Sequence, residues 1–234
     1  NNNNNVVHKI IKESHKNIVS VTTVGFDIFV TESLLPLANG MEIILASNSP
    51  RRKELLNQLG LDFEVRVMSG IDESYPDNLP SKDVAEYIAS KKSSAYSIAS
   101  DELLITADTI VVVGHDILGK PHDREDACRM LREISGKTHH VITGVCIRTD
   151  SKQSRFSVST DVKFKNLTDG EIDFYVDHFK PYDKAGAYGI QEWIGLVGVE
   201  SISGSFYNVM GLPVQRIYEE LTASFGLNLD SINP

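Results

Sequence analysis

From Met41 onward, short apolar runs alternate with stretches whose apolar residues recur at helical spacing. That alternation restricts the chain to the α/β class, a mixed twisted sheet with flanking helices. Glu42–Ala46 reads as a short strand. Pro50–Leu59 reads as a helix with Ser49 as N-cap, Pro50 at the first helical position and Gly60 just past the end. Phe63–Met68 is a second strand, Ser69–Pro80 an acidic loop, and Ser81–Ala99 a helix carrying Val84, Tyr87, Ile88, Ala95 and Ile98. Leu103–Val113 is strand-like but interrupted by Asp108. Asp123 caps a helix with Ala127, Met130, Leu131 and Ile134 on one face. Strands over Val141–Arg148 and Phe156–Phe164 follow, the second in strict alternation. Thr168 and Glu171 form a capping box ahead of another helix. A Gly-rich segment from Gly186 to Gly211 then leads to Pro213, which starts a last helix toward Phe225.

Residues 1–40 have a different character. They begin with five asparagines, and their three lysines offset Asp27, Glu13 and Glu32, so the net charge of -9 lies beyond Gly40. They are expected to be an N-terminal extension, partly disordered, with one helix around Val6–Val19, ahead of a domain spanning 41–234. The negative balance argues against a nucleic-acid or anionic-membrane binder, so a phosphate ligand has to be met by a local basic cluster. No run approaches the roughly 18 apolar residues that span a bilayer. Cys128 and Cys146 have neither zinc-ligand spacing nor the density of a disulfide scaffold, which favours a reducing compartment and packing roles. A soluble, cytoplasmic protein is expected.

Two stretches carry the chemistry. Ser47-Asn48-Ser49-Pro50-Arg51-Arg52 puts small residues between the end of a strand and the start of a helix, where free N–H groups and the helix dipole attract anions. Its hydroxyls and guanidinium groups add further donors. The same letters also describe a capped helix with two solvated arginines. Asp108 sits in the middle of an apolar strand, where a carboxylate is costly without a cation or metal partner. It is therefore a candidate metal ligand or general base, unless the chain simply breaks there. Lys120, in Gly119-Lys120-Pro121, offers a point charge for phosphate, and Asp72 and Glu73 offer oxygen ligands from a loop. Gln191, in a glycine-rich stretch, has an amide able to read a base edge. His139 and His140 point to opposite faces of one strand and cannot chelate together. There is no Gly-x-x-x-x-Gly-Lys-Ser/Thr loop.

Taken in order, six stretches resemble the Maf family of nucleotide pyrophosphatases: Ala46–Leu56, Ala107–Val112, Leu118–Pro121, Val141–Val145, Asp183–Gln191, and Gly204 through Asn208–Pro213. The resemblance covers Met41 to the final helix. It implies two lobes around a substrate cleft, a divalent cation (Mg²⁺ or Mn²⁺), a homodimer, and cleavage of a nucleoside triphosphate between its α and β phosphates. Carried over to this chain, Asp108 is the proton acceptor, Ser47, Arg51, Arg52, Lys92 and Lys120 hold the phosphates, and Glu73 joins Asp108 at the metal. Arg51, Thr109 and Gln191 resemble the branch that acts on dTTP and UTP. A purine house-cleaning enzyme acting on ITP, or a nucleotide-binding regulator of cell division without turnover, are the competing readings. Trp193-Ile194 departs from the small residues often found after the glutamine.

Overall fold

In the computed structural model, which describes residues 40–228, Glu42–Leu45 (β1) and Glu102–Val113 (β3) pair in parallel near the centre of a seven-stranded sheet. Glu64–Val65 (β2) extends it in parallel beyond β1. On the other side Thr138–Arg148 (β5), Gln153–Phe164 (β6) and Val199–Ser203 (β7) follow antiparallel, giving the order β2-β1-β3-β5-β6-β7. Asp116–Leu118 (β4) folds back antiparallel onto the end of β3. The helices are Pro50–Gln58 (α1), Ser81–Ser94 (α2), Arg124–Ile134 (α3), Asp169–Phe179 (α4), Trp193–Gly198 (α5), Phe206–Met210 (α6) and Val214–Phe225 (α7). This is the mixed α/β sheet with flanking helices that the alternation of elements predicts. Residues 1–39, with the helix expected around Val6–Val19, lie outside the described residues. Among those described, no helix is long and apolar enough to cross a membrane.

Both faces of the sheet are covered. On one face Leu103 and Ile105 pack under α1 and α7 with Leu55, Leu56, Ile217 and Leu221. Farther along the same face, Val111 and Val113 pack under α3, α4 and α5 with Leu131, Ile134, Tyr175 and Ile194. The opposite face is closed by α2, whose Val84, Ala85 and Ile88 meet Ile110, Val112 and Ile142. Each such buried aliphatic side chain contributes about 1.5–3 kcal/mol relative to exposure. α2 lies unusually close to the sheet because Gly144 of β5 has no side chain. A Cβ there would come within 2.2 Å of the Ala85 carbonyl carbon and the Glu86 nitrogen.

Several details differ from the expectation. The strand expected over Phe63–Met68 is reduced to Glu64–Val65. β3 runs unbroken through Asp108, because the carboxylate has a partner there. α2 stops at Ser94 rather than Ala99: Arg148 donates to the carbonyls of Ser93 (2.9 Å) and Tyr96 (2.7 Å), which satisfies the helix end. The segment expected to be only Gly-rich contains α5, β7 and α6, each of five or six residues, too short to show a period.

The consequential feature is an interruption along one edge of β3. β1 pairs with Glu102–Ile105 and β4 with Val111–Val113. Between them, residues 106–110 have no strand partner on that edge.

Candidate functional site

This open edge faces a cavity of about 420 Å³, the size of a small-ligand site. Asp108 and Thr109, as neighbours on a strand, project to opposite faces of the sheet. Both line the cavity, because no strand closes the edge between them and solvent.

The β1–α1 turn forms one wall. Ser49 caps α1 by accepting from the Arg52 N–H at 3.5 Å, as the capped-helix reading expects, but Arg51 and Arg52 are hydrogen-bonded rather than solvated, and the same turn lines the cavity. Ser47 is buried; its Oγ accepts from the Ser49 N–H (3.2 Å) and Arg52 Nη1 (3.5 Å), leaving its own proton for a ligand. Arg52 lies along the floor. Its Nε donates to Gly211 O (2.8 Å), Nη1 to Ala107 O (2.8 Å) and Nη2 to Thr109 Oγ1 (3.0 Å). The guanidinium thus takes over a carbonyl on the strandless edge of β3 and ties it to the C-terminal end of α6. Burial pushes its pKa down, and the Asp108 charge pulls the other way.

Arg51 lines the mouth and donates to Asp183 Oδ2 at 2.8 Å. Asp183 also binds the buried Lys184 ammonium (2.8 Å), which reaches Glu192 (3.0 Å), and Glu192 accepts from the Tyr175 hydroxyl. Burial works to raise the Asp183 pKa, but the hydrogen bonds from Lys184 and Arg51 outweigh it and hold it at about 2. The chain of contacts fixes the turn that presents Gln191, since the Gly189 N–H donates to Tyr175 Oη at 3.0 Å. Gln191 is exposed and lines the cavity. Trp193 and Ile194 do not line it; Trp193 packs on Phe174 and Ile194 is buried in the core below.

On the α2 side of β3, Lys92 Nζ lies 2.7 Å from Asp108 Oδ1 and 3.0 Å from Glu73 Oε1. Two carboxylate oxygens therefore converge on one cationic position at the cavity wall. Asp72, beside Glu73, turns away to Lys91 (2.7 Å) and does not line the cavity. No group of three or more His, Cys, Asp or Glu is placed to hold a metal among the described residues. The hard oxygen pair of Glu73 and Asp108 does fit Mg²⁺ or Mn²⁺, which is commonly held by one or two carboxylates, with substrate phosphates and water completing the shell. Lys120, exposed in the turn after β4, lines the cavity and has no carboxylate partner among the described residues.

Ser47, Arg51, Arg52, Glu73, Lys92, Asp108, Thr109, Lys120 and Gln191 all line this one cavity, whereas Asp72, the other acidic candidate, does not. Asp183, Lys184 and Glu192 also shape the site, and their only sequence signal is two acids around a lysine within ten residues. Thr143 and Asn208 lie within the family motifs without a local signal of their own. Cys128 and Cys146 are buried and free, as expected for packing residues. His139 is buried and His140 exposed, on opposite faces of β5.

The sequence pattern of the family described as "Maf-like protein" matches residues 42–224. A protein of Parabacteroides distasonis named "dTTP/UTP pyrophosphatase" is 60% identical over 182 residues, covering 77% of this chain and 94% of the relative. Proteins of the same name from Phocaeicola vulgatus and Bacteroides fragilis are 58% and 57% identical over the same shares of both chains.

Proposed function

This chain belongs to the Maf-like family, and from that premise we infer that it is a nucleoside triphosphate pyrophosphatase that hydrolyses dTTP and UTP to the monophosphate and pyrophosphate. The observation that carries the reading is the position of Asp108, held by Lys92 at the cavity wall and facing the Ser47–Arg52 turn across the open edge of β3. A carboxylate there is within reach of a water directed at a phosphorus bound by the turn.

The triphosphate is held by the Ser47 hydroxyl, Arg51, Lys92 and Lys120, with Arg52 adding its charge while its donors fix the floor. Asp108 accepts a proton from water as the water oxygen bonds to the α-phosphorus. The bond from the α-phosphorus to the bridging oxygen breaks, and that oxygen leaves with the β and γ phosphates as pyrophosphate. Phosphoryl transfer of this kind depends mostly on positioning and charge neutralisation. Glu73 and Asp108 would hold a divalent cation, which would neutralise charge on the phosphate oxygens. Gln191 and Thr109, which line the same cavity, read the nucleoside in this account, and Arg51, braced by Asp183, meets the ligand.

The family resemblance also supports a homodimer, and the two free, buried cysteines support the cytoplasm as its compartment. Light scattering of the purified chain checks the first. The activity is checked by measuring pyrophosphate release from a nucleotide panel with Mg²⁺ and again with chelator. Release from dTTP and UTP that stops with chelator is expected; release from ITP alone, or from none, contradicts the reading.

A further inference from the structure

We propose that Thr143, a buried residue that does not line the cavity, makes the site discriminate uracil and thymine from cytosine by fixing the direction of the Thr109 hydroxyl proton. The inference rests on the dTTP/UTP reading above and adds how the base is recognised.

Thr109 and Thr143 are register partners on β3 and β5, with their hydroxyl oxygens 3.0 Å apart. Thr143 Oγ1 lies 3.1 Å from the backbone carbonyl of Asn208, which can only accept. The Thr143 proton therefore goes to Asn208 O, and its oxygen takes the Thr109 proton. Arg52 Nη2, which can only donate, occupies one lone pair of Thr109 Oγ1 at 3.0 Å. The order is thus Arg52 to Thr109 to Thr143 to Asn208. Thr109, half-buried at the cavity wall, has one lone pair left and no proton.

Asn208 holds the end of this chain rigid. It is fully buried, and its Nδ2 donates to Val141 O and Thr160 Oγ1, both at 3.0 Å. Thr109 lies on the face of β3 opposite Asp108, Lys92 and Glu73, beside the Arg52 guanidinium, and it is a residue to which the proposed function gives the base. Toward it the floor presents an acceptor, Thr109 Oγ1, beside a guanidinium donor, Arg52 Nη2. Uracil and thymine carry an N3–H donor flanked by carbonyl acceptors and match this pair. In the register that sets the uracil N3–H against Thr109, cytosine brings its N3 acceptor to the same place and meets Thr109 lone pair to lone pair. Sites that require a specific hydrogen bond reject analogues unable to form it far more strongly than apolar pockets reject a change of size. Thr143 touches neither base nor phosphate and acts as a positioning residue.

The test is kcat/KM for UTP and CTP in the full chain carrying Thr143→Val, Thr143→Cys or Thr143→Ser, with melting temperatures as the folding control. Valine removes the acceptor and cysteine weakens it, so the Thr109 proton is freed to turn into the cavity. The UTP/CTP ratio is expected to fall tenfold or more in both, mainly through KM, while serine keeps the wild-type ratio. A folded Val or Cys variant with the wild-type ratio overturns the inference and leaves the proposed function standing. A wild-type chain that releases no pyrophosphate from UTP removes both.

Discussion

Lys92 Nζ lies 2.7 Å from Asp108 Oδ1, so a side chain of α2 pairs with the one carboxylate in the interior of β3 and also reaches Glu73 in the preceding loop. The pair explains how β3 continues through an acidic residue. It also predicts opposite effects on metal and chemistry. Lys92→Met is expected to lower kcat for UTP by about 10²-fold, the scale of losing one charge-stabilising donor. Mn²⁺ binding, read by electron paramagnetic resonance, is expected to tighten because both carboxylates lose their competing ammonium. Weaker Mn²⁺ binding would show that Lys92 builds the cation site rather than sharing it.

Gly144 governs the same geometry from the other side. A Cβ there would meet the backbone of Ala85 and Glu86 at 2.2 Å, so Gly144→Ala pushes α2 off the sheet. Overpacking of this kind costs about 1–3 kcal/mol, or several degrees in Tm. Because α2 also carries Lys92, the folded variant is expected to lose kcat as well, and calorimetry with steady-state kinetics reads both. A variant with wild-type Tm and kcat contradicts the close approach.

Much of this site was legible in the sequence. The Ser47–Arg52 turn announced itself by its N-cap and N1 proline, and Asp108 by its cost in an apolar strand, because both signals are local. What stayed hidden was non-local. Nothing in the letters around Arg52 says that its guanidinium serves the Ala107 carbonyl, because that need arises only where β1 ends before β4 begins. The Asp108 strand looked interrupted for a similar reason: its partner lies sixteen residues away on α2. β7 and α6 were too short to show a period, yet they bring Asn208 against Thr143.

The Arg51–Asp183 pair has a defined acid limit. Asp183 titrates at about 2 when folded, below its ordinary 3.8. The folded state therefore holds the proton less tightly than the unfolded chain. Its stabilising contribution is complete above the unfolded value and is lost as pH falls through the folded one. The stability difference between wild type and Asp183→Asn is expected to stay constant from pH 7 to about 5, then shrink toward pH 2. Denaturant melts across this range check it; a difference that vanishes between pH 7 and 5 contradicts the pairing.

His139 acts over a different window. It is fully buried, with Nε2 2.8 Å from Tyr188 Oη, and burial lowers its pKa from 6.5 to about 4. Below pH 6.5 the unfolded chain takes up a proton that the folded chain refuses until about 4, so stability falls across that window by at most about 3 kcal/mol. His139→Gln is expected to flatten this slope. An NMR titration of the wild-type ring with a midpoint near 6.5 contradicts the account.

The central claim is that Asp108 is the base, and its most direct test is single-turnover pyrophosphate release from UTP by Asp108→Asn with saturating Mg²⁺. The expected result is a rate lowered by about 10²–10⁴-fold, the usual contribution of a general base, with UTP still bound and the fold intact. Release at the wild-type rate would contradict it.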